Sequence, residues 1–213
     1  MKKFGFTLAE VLITLAIIGI VAALTVPALI QSYEKKVTST KIKKFNSIIT
    51  EAILLNNNEY YGSNWIYTAM QNPDNYSETF FKTYLDNKIR TLHTESKLNG
   101  KMFYVKLYDG SGFIIWRNNI DFKLDYPFYI TYCSKYEHCS KNGQEGYDGR
   151  NGFLFKIEPD GVLNTYCSTS MDRNYLLRSC KARALNDRNK SHCCSALLKK
   201  DNWEFLKDYP WDW

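Results

Sequence analysis

The sequence predicts an α+β fold: one long N-terminal helix followed by a small antiparallel sheet. Three observations predict it. Residues 11–30 carry no charge and are nearly all apolar. Beyond them apolar residues recur at Ile30, Tyr33, Val37, Ile42, Phe45, Ile49, Ala52 and Ile53, spacings of mostly three and four that mark one helical stripe. Further on, two pairs of strand-like segments are joined by the turn-forming tetrapeptides Asp109-Gly110-Ser111-Gly112 and Glu158-Pro159-Asp160-Gly161.

Composition bounds the rest. A chain of 213 residues fits one domain, or one domain plus an appendage, and is long enough to bury a core, so cystine bridges are supplementary staples. Charged residues at 23% are ordinary, which excludes wholesale disorder. A mean hydropathy of -0.40 excludes a polytopic membrane protein but not a single span. The 20 uncharged residues Val11 to Ile30 have the length of one membrane-crossing helix. The formal net charge of +6 is spread along the chain, so no specific nucleic-acid surface is expected.

The N-terminal element opens with Met1-Lys2-Lys3-Phe4-Gly5 and continues with Phe6-Thr7-Leu8-Ala9-Glu10. Three readings compete: a secretory signal peptide cut near Val21-Ala22-Ala23, a plain signal anchor, and a five-residue leader ending at Gly5. Glu10 separates them, because a carboxylate in an apolar span is expensive and needs a partner or an interfacial place. Cleavage after Gly5 creates an α-amine on Phe6, four residues from Glu10 and on the same helix face. A neighbouring helix displaced by roughly a turn presents its Glu10 to that amine.

Lys2-Lys3-Phe4-Gly5 followed by the run Phe6 to Ile30 resembles the N-terminal cleavage and methylation motif of type IV prepilins and type II secretion pseudopilins. The likeness covers the basic leader, the Gly before the cut, the Phe after it and the acid at the fifth retained position. Gly19 and Pro27 fall where that family tolerates helix breaks. The resemblance implies a pilin-like fold, cleavage after Gly5 and N-methylation of Phe6 by a membrane prepilin peptidase, and assembly through Glu10. It further implies a single-pass place in the bacterial inner membrane, with an extracytoplasmic head that passes into a filament of pilin or pseudopilin subunits. Lys35, Lys36, Lys41, Lys43 and Lys44 follow the span and outnumber Lys2 and Lys3, against the positive-inside rule. Long domains translocate largely regardless of charge, so the head is placed outside.

The domain boundaries expected are a leader at residues 1–5, a stem helix at 6–57 that spans the membrane over 6–30, and a head at 58–213. Pro27 should kink or open the helix, Asn56-Asn57-Asn58 should stop it, and the lysines read as a solvated face. In the head, Ser77 is the expected cap of a helix running through Phe81, Tyr84 and Leu85, and Ser170 of one through Leu176 and Leu177. The two hairpins are expected at Met102–Tyr108 with Phe113–Trp116, and at Gly152–Ile157 with Val162–Tyr166. Ala196-Leu197-Leu198 begins a closing segment with an aromatic tail. The segments GRNGFLFKIEPDGVL and WEFLKDYPW also resemble heads of bacterial prepilin-type proteins, more loosely.

Cys133, Cys139, Cys167, Cys180, Cys193 and Cys194 all lie in the head. An even number in an exported domain reads as disulfides. The adjacent Cys193 and Cys194 are poor partners for each other. Cys133 with Cys139 closes a short loop, Cys180 pairs with Cys193 or Cys194, and Cys167 takes the remainder. The rival is zinc with His138 and His192, but no C-x-x-C spacing supports it. The oxygen-rich loop Asn142 to Asn151 is a candidate calcium site, although it is not an EF-hand and turn chemistry explains it equally well. No cofactor is otherwise expected.

Catalysis lacks signals. His93, His138 and His192 sit in no nucleophile motif, phosphate-binding glycine loops are absent, and Asp121 with Asp125 read as surface acids. The reading is a structural filament subunit, a minor pilin or pseudopilin without enzyme activity. The alternative is an anchored or secreted binding module whose N-terminus is only an export signal.

Overall fold

The computed structural model describes residues 5, 7–59, 75–117, 127–142, 147–181 and 191–210. The chain divides into two compact units, residues 1–37 and 38–213. Helix α1, Leu8–Glu59, contributes to both.

In the first unit α1 buries nothing. Its large apolar side chains stand in the open, Ile18 63% and Leu24 75% exposed. The helix is continuous through Gly19 and Pro27. Proline removes one backbone donor, and the turns on either side still carry the helix.

The second unit is a six-stranded meander with a helix on its inner face. The strands are β1 (Thr91–Lys97), β2 (Met102–Leu107), β3 (Gly112–Trp116), β4 (Phe128–Cys133), β5 (Gly152–Ile157) and β6 (Leu163–Thr165). They lie in sequence order, each antiparallel to the next. Period-two alternation sorts their side chains. Phe103, Val105, Phe113, Ile115, Ile130, Tyr132, Phe153 and Phe155 face inward. The part of α1 beyond residue 37 lays Ile42, Phe45, Ile49, Ala52 and Ile53 on that face. Phe45 is the knob: its ring centroid lies 4.5 Å from Tyr132, 5.5 Å from Phe113 and 5.6 Å from Phe155. The predicted stripe is therefore core from Ile42 onward, while Ile30 and Tyr33 remain exposed. The expected stop at Asn56-Asn57-Asn58 lies within one residue of the observed end. α1 continues to Glu59, and the buried Asn56 amide donates to Ala52 O at 2.9 Å and to Tyr84 O.

Helix α2, Tyr76–Tyr84, packs Phe80 on Phe128 with centroids 4.4 Å apart and Phe81 on Phe103 at 4.9 Å. Its cap is Asn75, two residues earlier than the sequence suggested. The Gly100 carbonyl accepts the N–H groups of Ser77 and Glu78 at 3.1 and 3.3 Å, and Ser77 Oγ donates to Lys101 O at 2.9 Å.

On the outer face Met102, Tyr104, Ile114, Trp116 and Leu154 form a smaller core with Cys133 and Cys139. Helix α3, Tyr136–Asn142, covers it. Helix α4, Arg173–Lys181, is capped not by Ser170 but by Asp172, whose Oδ1 accepts the N–H groups of Asn174 and Tyr175 at 2.9 and 3.1 Å. Helix α5, Cys194–Lys200, closes the head. The aromatic tail after it is tied back by Arg173, which makes paired hydrogen bonds to Asp201 at 2.7 and 2.8 Å and to Asp208 at 2.7 and 2.9 Å.

Candidate functional site

The candidate site is the start of α1. Thr7 and Glu10 form a capping box. The Thr7 N–H and hydroxyl both donate to Glu10 Oε2 at 2.8 Å, and the Glu10 N–H donates to Thr7 Oγ1 at 3.3 Å. The carboxylate thus has partners on its own chain and sits where helical N–H groups are left over. Among the described residues nothing stands within 4 Å of the position a Cβ would take on Gly5. Further along, the Thr14 and Thr25 hydroxyls donate back to Val11 O and Val21 O, each at 2.9 Å. No hydroxyl of these two is left to face hydrocarbon unpaired. Lys2, Lys3 and Phe6 lie outside the described residues.

In the head the six cysteines form three bridges. Cys133 bonds Cys139, Cys167 bonds Cys193 and Cys180 bonds Cys194, with Cα–Cα distances of 5.7, 5.1 and 4.7 Å. Adjacent Cys193 and Cys194 thus anchor two different segments to the start of α5. Gly149, at φ +75°, lies against the last bridge: a Cβ there would be 2.4 Å from Cys194 Sγ and 3.3 Å from Cys180 Sγ. The buried Tyr209 hydroxyl donates to Gly149 O at 2.6 Å, and burial pushes its pKa up, so it stays a neutral donor.

All six sulfurs are engaged in disulfides, which leaves no thiolate for zinc. The His192 ring lies between Tyr147 and Tyr166, at 4.8 and 4.9 Å. In the candidate calcium loop, residues 143–146 lie outside the described residues. Asp148 Oδ1 accepts the N–H groups of Arg150, Asn151 and Gly152 at 2.9, 2.6 and 2.9 Å, the turn chemistry of a loop capping itself. Among the described residues no three His, Cys, Asp or Glu side chains could hold an ion together. Asp121 and Asp125 also fall outside the described residues.

A cleft of about 1080 Å³ runs along α1, floored by Phe45, Ile48, Ala52 and Leu55 and flanked by Asp109 and Ser111. Burial pushes Asp109 up, but hydrogen bonds from Ser111 and the charges of Lys41 and Lys44 outweigh it, and the carboxyl titrates below the ordinary range. Lys41 Nζ donates to Asp109 O at 2.9 Å and Ser134 O at 3.3 Å. These contacts fasten turns to the helix, and the acid is a poor proton acceptor near neutrality.

A family model matches residues 28–212, almost the whole described head and much of α1. The chain belongs to a family of unknown function (DUF6613). Residues 1–26 match the prokaryotic N-terminal methylation motif, the signature of type IV prepilins and pseudopilins. No curated protein matches the chain, and no solved structure does. Together, the apolar helix and the methylation motif fit membrane anchoring and a pilin-like subunit rather than an enzyme.

Sequence reasoning missed two residues. Thr7 was legible: Thr-x-x-Glu immediately before an apolar run is a capping-box signature. Gly149 was not, because only the packed disulfide shows why a side chain fails there.

Proposed function

We propose that this protein is a non-catalytic subunit of a type IV pilus or type II secretion filament, in a minor or initiating place. The observation that supports this best is the pairing of an exposed apolar helix with one acid, Glu10, in its first turn. A plain anchor has no use for that acid. In this reading a prepilin peptidase cleaves after Gly5 and methylates Phe6. The subunit then waits in the inner membrane by its single span, head outside. The capping box holds Glu10 during this stage. Cleavage removes nothing from it, since both Thr7 donors belong to the retained chain. On assembly the helix buries its apolar surface against other pilin subunits, and Glu10 meets a neighbour's Phe6 amine in a low-dielectric site where each charge neutralises the other. The head decorates the surface or tip.

The processing step is tested by Gly5→Leu, which places a side chain where the peptidase must approach the backbone. The expected outcome is an uncut precursor with the head still exported. A chain starting at Phe6 in the mass spectrum of this variant would overturn the leader assignment.

A further inference from the structure

The sheet has two edges: β1, open along its length, and β6, where Leu163 and Thr165 are buried and Asn164 is half-buried. Every residue of β1 is exposed or half-exposed, on both faces, and its backbone pairs only with β2. At the other edge β6 pairs only with β5. Among the described residues nothing continues the ladder beyond either strand. A row of unpaired backbone groups is a template for another strand.

We propose that these edges pair with each other between copies, β1 of one chain adding to β6 of the next. This rests on the filament-subunit reading and names the surface by which neighbouring heads meet. Strand parity selects the pairing. With six antiparallel strands, β1 and β6 run in opposite directions, so a second copy in the same orientation continues the sheet antiparallel. Pairing β1 with another β1 needs a twofold axis normal to the sheet. Such a twofold contact closes on itself and stops at a dimer, whereas a filament needs a contact that repeats. The β1-to-β6 contact is heterologous, the kind that propagates into a filament.

Charge selects the register. Glu95 and Lys97 point to the outer face of β1, where they make an ion pair at 3.4 Å. Lys156 and Glu158 do so beside β6, at 2.5 Å. Lys156 stands opposite Asn164, and Glu158 opposite Val162. Placing Glu95 across from the neighbour's Asn164 brings Lys97 across from its Val162. Glu95 then stands two strands, about 9.6 Å, from Lys156, and Lys97 the same from Glu158, distances that the paired long side chains bridge on one face. A slip of two residues sets Lys97 level with Lys156, like against like. The ladder is short, since β6 has three residues, so each contact is weak alone and gains by repetition along a filament.

The test is photo-crosslinking in producing cells. A benzophenone amino acid replaces Thr94 or Ser96 in the full chain, and Tyr175 on α4 serves as control. A mixture of 14N and 15N chains distinguishes copies. The expected product is a dimer from Thr94 and Ser96, absent from Tyr175, joined to residues 156–166 of a second copy. Lys97→Glu lowers its yield about two- to fivefold, and Glu158→Lys in the same chain restores it. No dimer, attachment to another protein, or attachment to another segment of the second copy would overturn the proposal. Intact mass on the same sample checks the filament reading separately. A methylated Phe6 start without the dimer sinks only the edge pairing, and the dimer with a different start sinks only the filament reading.

Discussion

Replacing Gly149 by alanine tests whether the last disulfide fixes the head. Two penalties combine. The residue sits at φ +75°, where an L side chain loses about 1 to 2 kcal/mol. Its new methyl would also stand 2.4 Å from Cys194 Sγ and 3.1 Å from Cys194 Cβ. That sulfur cannot swing away, because it is bonded to Cys180 in the core. Overpacking of this kind costs about 1 to 3 kcal/mol. The sum, about 2 to 5 kcal/mol, corresponds to a fall in melting temperature of about 4 to 20 °C for a chain of this size. Gly110 is the control: it has φ +79° and nothing within 4 Å of its Cβ position, so Gly110→Ala incurs only the first penalty. The assay is thermal unfolding of the oxidised full-length chain in detergent, read by circular dichroism, with disulfide mapping of each variant. If Gly149→Ala melts no lower than Gly110→Ala, the close approach to Cys194 is not a constraint and the argument fails.

Other outcomes follow from the same structure. Glu10→Gln keeps the capping geometry, since glutamine also serves in a capping box, but removes the charge; it should leave cleavage and export intact and deplete the variant from sheared filaments relative to the membrane pool. Thr7→Ala does the converse and should lower helicity at the first turn by about 1 kcal/mol while leaving incorporation nearer to wild type. The Arg173 guanidinium holds Asp208 below the ordinary aspartate value of 3.8, so this pair stabilises the head fully above that pH and is lost as pH falls through the depressed value. Arg173→Ala should therefore flatten the acid limb of a stability-versus-pH curve below about pH 4 and leave its neutral shape unchanged. Joint replacement of Cys180 and Cys194 by serine opens a loop with sequence separation 14 and should lower head stability by about 2 to 5 kcal/mol in denaturant titration.

What the sequence disclosed depended on how local the cause was. Both hairpins were readable because their turns carry their own chemistry: Asp109 and Asp160 each accept the N–H two residues on, at 3.0 and 3.1 Å. The core stripe of α1 was readable from Ile42 because burial imposes the period. β1 was missed because Thr91 to Lys97 is polar on both faces, as an edge strand with little packed on it can be. β4 was missed although only Thr131 interrupts its apolar and aromatic run, since a strand buried on both sides shows little alternation. α3 is short and polar and owes its place to the Cys133–Cys139 bridge rather than to periodicity. The caps were displaced by two residues in both cases, Ser77 for Asn75 and Ser170 for Asp172, because several polar residues near each helix start could serve and the flanking turn decides among them. At the candidate site the acid and the proposed cleavage glycine were legible, and the Thr-x-x-Glu spacing carried the capping box as well.

The central claim, that the N-terminal helix is a processed assembly element and not a disposable export signal, is tested most directly by the mature N-terminus. The protein is isolated from membranes of its producing cells and the terminal peptide is sequenced by mass spectrometry. The account predicts a chain beginning at an N-methylated Phe6 and retaining Glu10 and the whole of α1. A chain beginning at Leu24, just after Val21-Ala22-Ala23, would contradict it and leave an exported binding module in its place.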